Sequence, residues 1–290
     1  MRRSSFALRM LSLIAVCGFA LSACLAASPQ AAQPFAATDH FQGKALELAQ
    51  AIDRKDAAAI ERLVEVEKVD PDTMFDQADM PIVAWPVING NAEGLKLLLN
   101  AGADPNARKL RPERQYGKAR DNALVFAAGL SDQTYLKLLL DHGGDPNTKN
   151  ANDEPLIYVA RLAHQWPNVQ YLVERGANIN EGLYEPAGYD TALNWYSRLG
   201  DFEQVYWLLQ KGGDPLRKMS DEPGKRNFGR MPVVEDIYYL PVQPRAVEWQ
   251  RRCQQWLRAR NIPRPAMQPS MKQDRIKLGL PSEEKDIPLL

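Results

Sequence analysis

Apolar residues recur along this chain at three-, four- and seven-residue offsets before a set of glycines. Before Gly102 stand Leu99, Leu98 and Leu95, and before Gly143 stand Leu140, Leu139 and Leu136. Before Gly176 come Val173, Leu172 and Val169, and before Gly212 come Leu209, Leu208 and Val205. Such offsets put one apolar face on a helix, and the glycine suits the left-handed position that ends it. "ADPN", "GDPN", "ANIN" and "GDPL" follow, turn formers that lead the chain away. A second short apolar segment precedes each: "PIVAWPVINGN", "NALVFAAGLSD", "EPLIYVARLAH" and "TALNWYSRLGD". The pattern predicts one helix–turn–helix unit written four times. A weaker first copy runs from Ala45 to Asp72, with Glu67-Lys68 in place of the glycine.

Asp70, Asp104, Asp145, Asn178 and Asp214 mark the same point in successive copies, at spacings of 34, 41, 33 and 36 residues. That period, with "LLNAGADPN" and the "TALN" of Thr191 to Asn194, resembles the ankyrin repeat. The resemblance implies an all-α solenoid of about five units, because such a unit buries its apolar face only against a neighbour. The expected array spans 43–216. Pro86 lies inside its first helix and should shorten or kink it. From Arg217 to Gln243 the repeat is lost in Pro, Gly and charge, which reads as an ordered loop or covering strand. "PRAVEWQRRCQQWLRARNI" then spaces Ala246, Trp249, Cys253 and Trp256 helically, which predicts a capping helix within 217–262. Pro263, Pro265 and Pro269 open 263–290, expected to be a mobile tail.

At the other end, Arg2, Arg3 and Arg9 precede an apolar run from Met10 to Ala23. The run falls short of the roughly 20 residues that span a bilayer and reads as a signal peptide, 1–23. It ends in "LSAC", which resembles the lipobox of bacterial lipoproteins. The resemblance implies that a mature chain starts at an acylated Cys24, followed by a tether through residue 42. Acyl chains hold a protein to a membrane without a spanning helix. Leu25 stands where an inner-membrane retention signal would usually place Asp, so a periplasmic protein anchored in the outer membrane is expected.

Of 36 basic residues three leave with the leader, so 33 face 36 acidic ones. That near-neutral balance argues against nucleic acid as a partner. Cys17 also leaves and Cys24 is acylated, so Cys253 remains without an intramolecular partner. His40, His142 and His164 have neither Cys nor carboxylates at metal-ligand spacing, and no Gly-rich phosphate loop is present. Neither an enzyme nor a cofactor or metal is expected.

Binding is better supported. Two residues after a buried first-helix position (Val83, Leu124, Leu156, Leu193) come Trp85, Phe126, Tyr158 and Trp195. Two residues turn a helix by about 200°, so these rings leave the core face of their neighbours. They either line the groove that the ankyrin resemblance implies or pack between adjacent first helices. Two fingers add charge. Ala107–Arg120 is long and basic, offering Arg108, Arg111, Arg114 and Tyr116, while Glu181–Asp190 is acidic with Tyr184 and Tyr189. Opposite signs on two fingers would orient a protein partner held by a free monomer. The chain also looks like ankyrin lipoproteins that neutralise secreted antibacterial effectors, often lipases. The alternatives are a scaffold for an envelope enzyme or assembly and, from another class, an enzyme with its site after Arg217.

Overall fold

The computed structural model describes residues 35–110, 120–183, 190–224, 227–287 and 289. Chain contacts divide it into Met1–Ala36 and a second compact unit, Ala37–Leu290. That second unit is an array of helix pairs, and among its described residues the β structure amounts to isolated bridges.

The pairs are Gly43–Asp53 with Ala57–Glu61 in unit one and Trp85–Ile88 with Ala92–Asn100 in unit two. Unit three pairs Ala123–Gly129 with Thr134–Asp141, unit four Leu156–Leu162 with Trp166–Glu174, and unit five Ala192–Leu199 with Phe202–Gln210. First helices pack on first helices and second on second, so the stripe read from the sequence becomes a continuous core. Leu95, Leu98, Leu136, Leu139, Val169, Leu172, Val205 and Leu208 are all fully buried.

Each second helix stops where the sequence says it should. Gly102, Gly143, Gly176 and Gly212 have φ between 91° and 97°, a region closed to most side chains. Unit one reaches the same end differently. Its second helix runs on as a π-helical turn, Arg62–Val66, and Lys68 takes the left-handed position at φ 54°. The π turn absorbs the one residue by which this copy exceeds the others. Pro86 acts as expected. The first helix of unit two is a 3-10 turn, Ile82–Ala84, followed by a four-residue α-helix with Pro86 at its second position.

The finger turns do more than redirect the chain. Within each, the leading Asp or Asn accepts a hydrogen bond from the amide two residues on: Asp104 from Asn106, Asp145 from Asn147, Asn178 from Asn180. The asparagine so held then bridges to the next unit. Asn106 Oδ1 accepts from the Asp145 amide (2.7 Å) and its Nδ2 donates to Gly143 O (3.1 Å). Asn147 does the same to Asn178 and Gly176, and Asn180 to Asp214 and Gly212. In unit one Asp72 can only accept, and it takes the Asp104 amide at 2.8 Å. The repeated Asp-Pro-Asn phrase is a ladder that spaces the units.

Three boundaries expected from sequence are corrected. The array does not end at residue 216. Val247–Arg258 is the expected capping helix and lies beside the second helix of unit five, but Pro232–Tyr239 lies beside its first, so a helix takes the place of the expected loop or strand and the two together form a sixth unit. Gln250 and Gln254 donate to Ile237 O (3.2 and 3.1 Å), and Gln250 to Leu240 O, capping carbonyls at a helix end that would otherwise lack partners. The helix buries Gln250, Cys253, Gln254 and Leu257, which turns Trp249 and Trp256 to its half-buried flanks. The tail, expected to be mobile, packs on this unit. It forms a helix, Pro269–Lys277, whose buried Arg275 donates to Tyr239 O (2.8 Å) and Pro281 O (2.6 Å). The tether expected up to residue 42 is folded from Ala37 on. Ala37–His40 is a helical turn, and Phe41 is buried edge-on against Trp85 at 5.4 Å.

Unit six closes the second-helix layer, with Trp249 beside Tyr206 (5.9 Å) and Cys253 against Phe202 O. A chain ended after Leu216 should therefore uncover Phe202 and Tyr206 and lose up to about 3–6 kcal/mol, taking roughly 1.5–3 for each large side chain. Chemical denaturation measures this, and an unchanged midpoint would contradict the sixth unit.

Candidate partner-binding surface

The four aromatic positions do not share one environment. Trp85 is 0% exposed, and its indole nitrogen donates to Asp53 Oδ1 at 2.8 Å. The ring is also flanked by His40 (5.1 Å) and Phe41. It is a core residue, which corrects its assignment to a binding face. The reason is local: the folded turn Ala37–His40 and Phe41 cover the position at this end of the array. Phe126, Tyr158 and Trp195 are half-buried, and Tyr158 and Trp195 meet through Arg161 at the seam between the first helices of units four and five.

Arg161, unremarked in the sequence, organises that seam. It ends the first helix of unit four with its guanidinium between two rings, 4.2 Å from Tyr158 and 4.1 Å from Trp195. Arg198, five residues after the buried leucine in unit five as Arg161 is in unit four, lies 5.2 Å from the same Trp195 ring. The result is an interleaved column of tyrosine, arginine, tryptophan and arginine across two units. Arg161 is only 2% exposed, and its Nε and Nη1 have no hydrogen-bond partner among the described residues. Among the described residues Asp190 Oδ1 and Asn194 Oδ1 lack one as well, and Asp190 reaches Arg198 at 3.9 Å. Burial lowers the Arg161 pKa, with Asp190 opposing. A desolvated cation–π contact is worth about 2 kcal/mol, while each unmet buried donor costs about 1–3 kcal/mol. The two nearly cancel, so stability alone does not account for this arginine.

One residue beyond each arginine stands an exposed leucine: Leu162 is 55% and Leu199 54% exposed. Leu130 holds the same position in unit three, half-buried. The signal was present in the sequence as a leucine six residues after Leu124, Leu156 and Leu193, hidden by the stronger aromatic line. Leu199 also stands at the rim of a cavity of about 540 Å³ between units five and six, with Asp201, Arg245 and Trp249 in its walls.

The basic finger is used internally where it is described. Arg108 donates to Arg120 O (3.1 and 2.7 Å) and to Lys149 O (3.0 Å), tying its own finger base to the next. Its place is structural, which corrects the expectation of a partner contact, and burial lowers its pKa. Lys109 and Arg120 pair with Asp79 at 2.9 and 3.5 Å. Arg111, Arg114, Tyr116, Tyr184, Tyr189 and Cys24 lie outside the described residues.

Other reactive groups are occupied or sealed. His142 holds Leu138 O (2.8 Å) and Asn100 Oδ1 (3.1 Å), while His164 fills a left-handed turn at φ 58°. Burial pushes the Cys253 thiol pKa up, away from the thiolate that nucleophilic chemistry needs. Among the described residues no cluster of His, Cys, Asp and Glu could hold a metal ion, and no helix is long and apolar enough to cross a membrane.

No family model matches the sequence, and no curated protein matches it. Among solved structures the chain is similar to the ankyrin repeat domain of Bcl-3, described as a unique member of the IkappaB protein family. There the TM-score is 0.52 at 21% identity, over 73% of this chain and 85% of that one. It is similar also to EF0377, an ankyrin repeat protein, with a TM-score of 0.51 at 20% identity, over 74% and 99% of the two chains. At these identities the likeness speaks to fold: the chain is an all-α ankyrin-repeat solenoid.

Beside the column, Ser197 donates to Asp236 Oδ2 at 2.9 Å and joins the first helices of units five and six. Burial pushes this carboxyl from 3.8 up to about 6, against the Ser197 bond. Between about pH 4 and pH 6 the folded chain thus holds a proton that the unfolded chain has lost, so stability falls as pH rises through that window. Asp236→Asn keeps a neutral acceptor for Ser197. It should flatten this part of the profile and stabilise the protein above about pH 6 by roughly 2–3 kcal/mol. Denaturation of both proteins at about pH 4 and pH 7 checks it, and parallel profiles would contradict it.

Proposed function

We propose that the chain is a non-catalytic, protein-binding lipoprotein of the periplasm that neutralises a secreted antibacterial effector such as a lipase. The observation that carries the binding role is the column of Tyr158, Arg161, Trp195 and Arg198 flanked by exposed Leu162 and Leu199. Aromatic residues and arginine are the types that concentrate binding energy at protein interfaces, and here Trp195 and Arg198 are held in place on one face by Arg161 buried behind them. The sealed thiol and the structurally engaged His142 fit a module that binds rather than transforms.

Location rests on the leader and its "LSAC" ending, with Cys24 as the acylated residue and the outer membrane as the anchor site. An anchored inhibitor stands where an incoming effector would meet its substrate. Two acyl chains or more make such an anchor stable, since a single chain binds only reversibly.

Cells lacking the protein should be killed by neighbours that deliver the co-encoded effector, and cells expressing it should survive. Cys24→Ala should shift the protein from the membrane fraction to the soluble fraction and reduce protection. Survival of the deletion strain against every co-encoded effector would refute neutralisation and leave the envelope-scaffold reading. Wild-type protein that is already soluble and unacylated would refute the anchor.

A further inference from the structure

We infer that the first-helix face of units four and five receives an acidic amphipathic α-helix of the partner protein, with a carboxylate at Arg198 and apolar residues on Leu162 and Leu199. The inference rests on the protein-binding reading above and names the partner's chemistry.

Charge is the first argument. Arg161 and Arg198 surround one indole, and the Asp190 carboxylate paired with Arg198 stands at 3.9 Å, so the column keeps an excess of positive charge. Arg161 is buried and cannot touch a partner as placed, whereas the Arg198 side chain is 53% exposed. Arg198 is therefore the contact, and Arg161 is a second charge held behind Trp195. Its field is weakly screened because the rings exclude water. An arriving carboxylate is attracted by both, and a basic segment is repelled by both.

Spacing is the second argument. Packed helices stand about 8–10 Å apart, so equivalent leucines on successive first helices recur at about that pitch. Along an α-helix residues seven apart share a face and are separated by roughly 10 Å. An extended strand covers that distance in three residues, which point to alternating faces. A helix with an apolar residue every seventh position can thus meet Leu162 and Leu199 together, and a strand cannot. Leu130 continues the row into unit three, and the hollow beyond Leu199, with Asp201, Glu203 and Arg245 in its walls, leaves room for the helix's N-terminal end, whose dipole is positive.

Three synthetic peptides of about three heptads test this. One carries Leu at every seventh position with Glu beside it, the second carries Lys for Glu, and the third has the acidic composition interrupted by proline. Binding to the whole chain is read from the indole resonance of Trp195. The acidic helix is expected to bind about tenfold or more tighter than either control. Arg198→Glu should reverse the preference between acidic and basic helices, an outcome that simple loss of structure would not give. Leu199→Ser should weaken both helices alike. Failure of the acidic helix to bind, equal binding of all three peptides, or an unchanged preference in Arg198→Glu would overturn the inference. Full protection against an effector by Arg198→Glu, Leu199→Ser protein would also overturn it while leaving the neutralising role intact. Loss of protection by the deletion strain is the separate observation on which that role depends.

Discussion

Each finger asparagine in the middle of the array holds two atoms of the following unit, an amide and a glycine carbonyl. The rest of the stack depends on that rung. Its bonds lie near the surface and contribute about 0.5–1.5 kcal/mol each, whereas one buried leucine contributes about 1.5–3 kcal/mol. Burial between helix layers therefore supplies the stability, and the rung supplies register, setting how far each unit stands from the last. The fourth residue of the finger decides whether a rung exists. Asp72 lacks the donor for a carbonyl and forms half of one. Leu216 has no polar group and forms none, so the ladder stops at unit five although the stack does not. Unit six is joined by other means: the Ser197–Asp236 bond, Cys253 against Phe202 O, and the tail helix folded over Tyr239.

That distinction explains how much of the fold was legible in the sequence. Units two to four could be aligned because the left-handed glycine and the rung asparagine are each demanded by geometry, unit five because its glycine and Asp214-Pro215 remain, and unit one because its apolar face survives. Unit six obeys the same packing but writes it differently. Glu235 and Asp236 are buried in its first helix, which breaks the apolar periodicity. They are tolerable there because Arg230 pairs with one (2.6 Å) and Ser197 with the other. A buried acid with a distant partner leaves no local trace in sequence. The same holds for Arg275, a charged residue in a proline-flanked segment that becomes the tie holding the tail.

The proposed binding face was half legible. Periodicity located the aromatic positions but could not tell that Phe41 and His40 fold over Trp85, a contact spanning more than forty residues. Nor could it show that Arg161 and Arg198 converge on Trp195, since their spacing is set by stacking rather than by any local motif. The proposed function depends on the fold through one device. Rungs and buried leucines hold successive first helices in register, and register brings arginine, aromatic ring and leucine of neighbouring units onto one surface.

Native-state hydrogen exchange of the finger amides, in the wild-type chain and in Asn147→Ala, tests that device most directly. In the wild type the amides of Asp145, Asn178 and Asp214 should be protected despite their exposed turns, because each donates to an asparagine of the preceding unit. Asn147→Ala should release the Asn178 amide and lower protection in units three and four more than in unit one. An Asn178 amide that exchanges freely in the wild type, or that is unchanged by the substitution, would contradict the account.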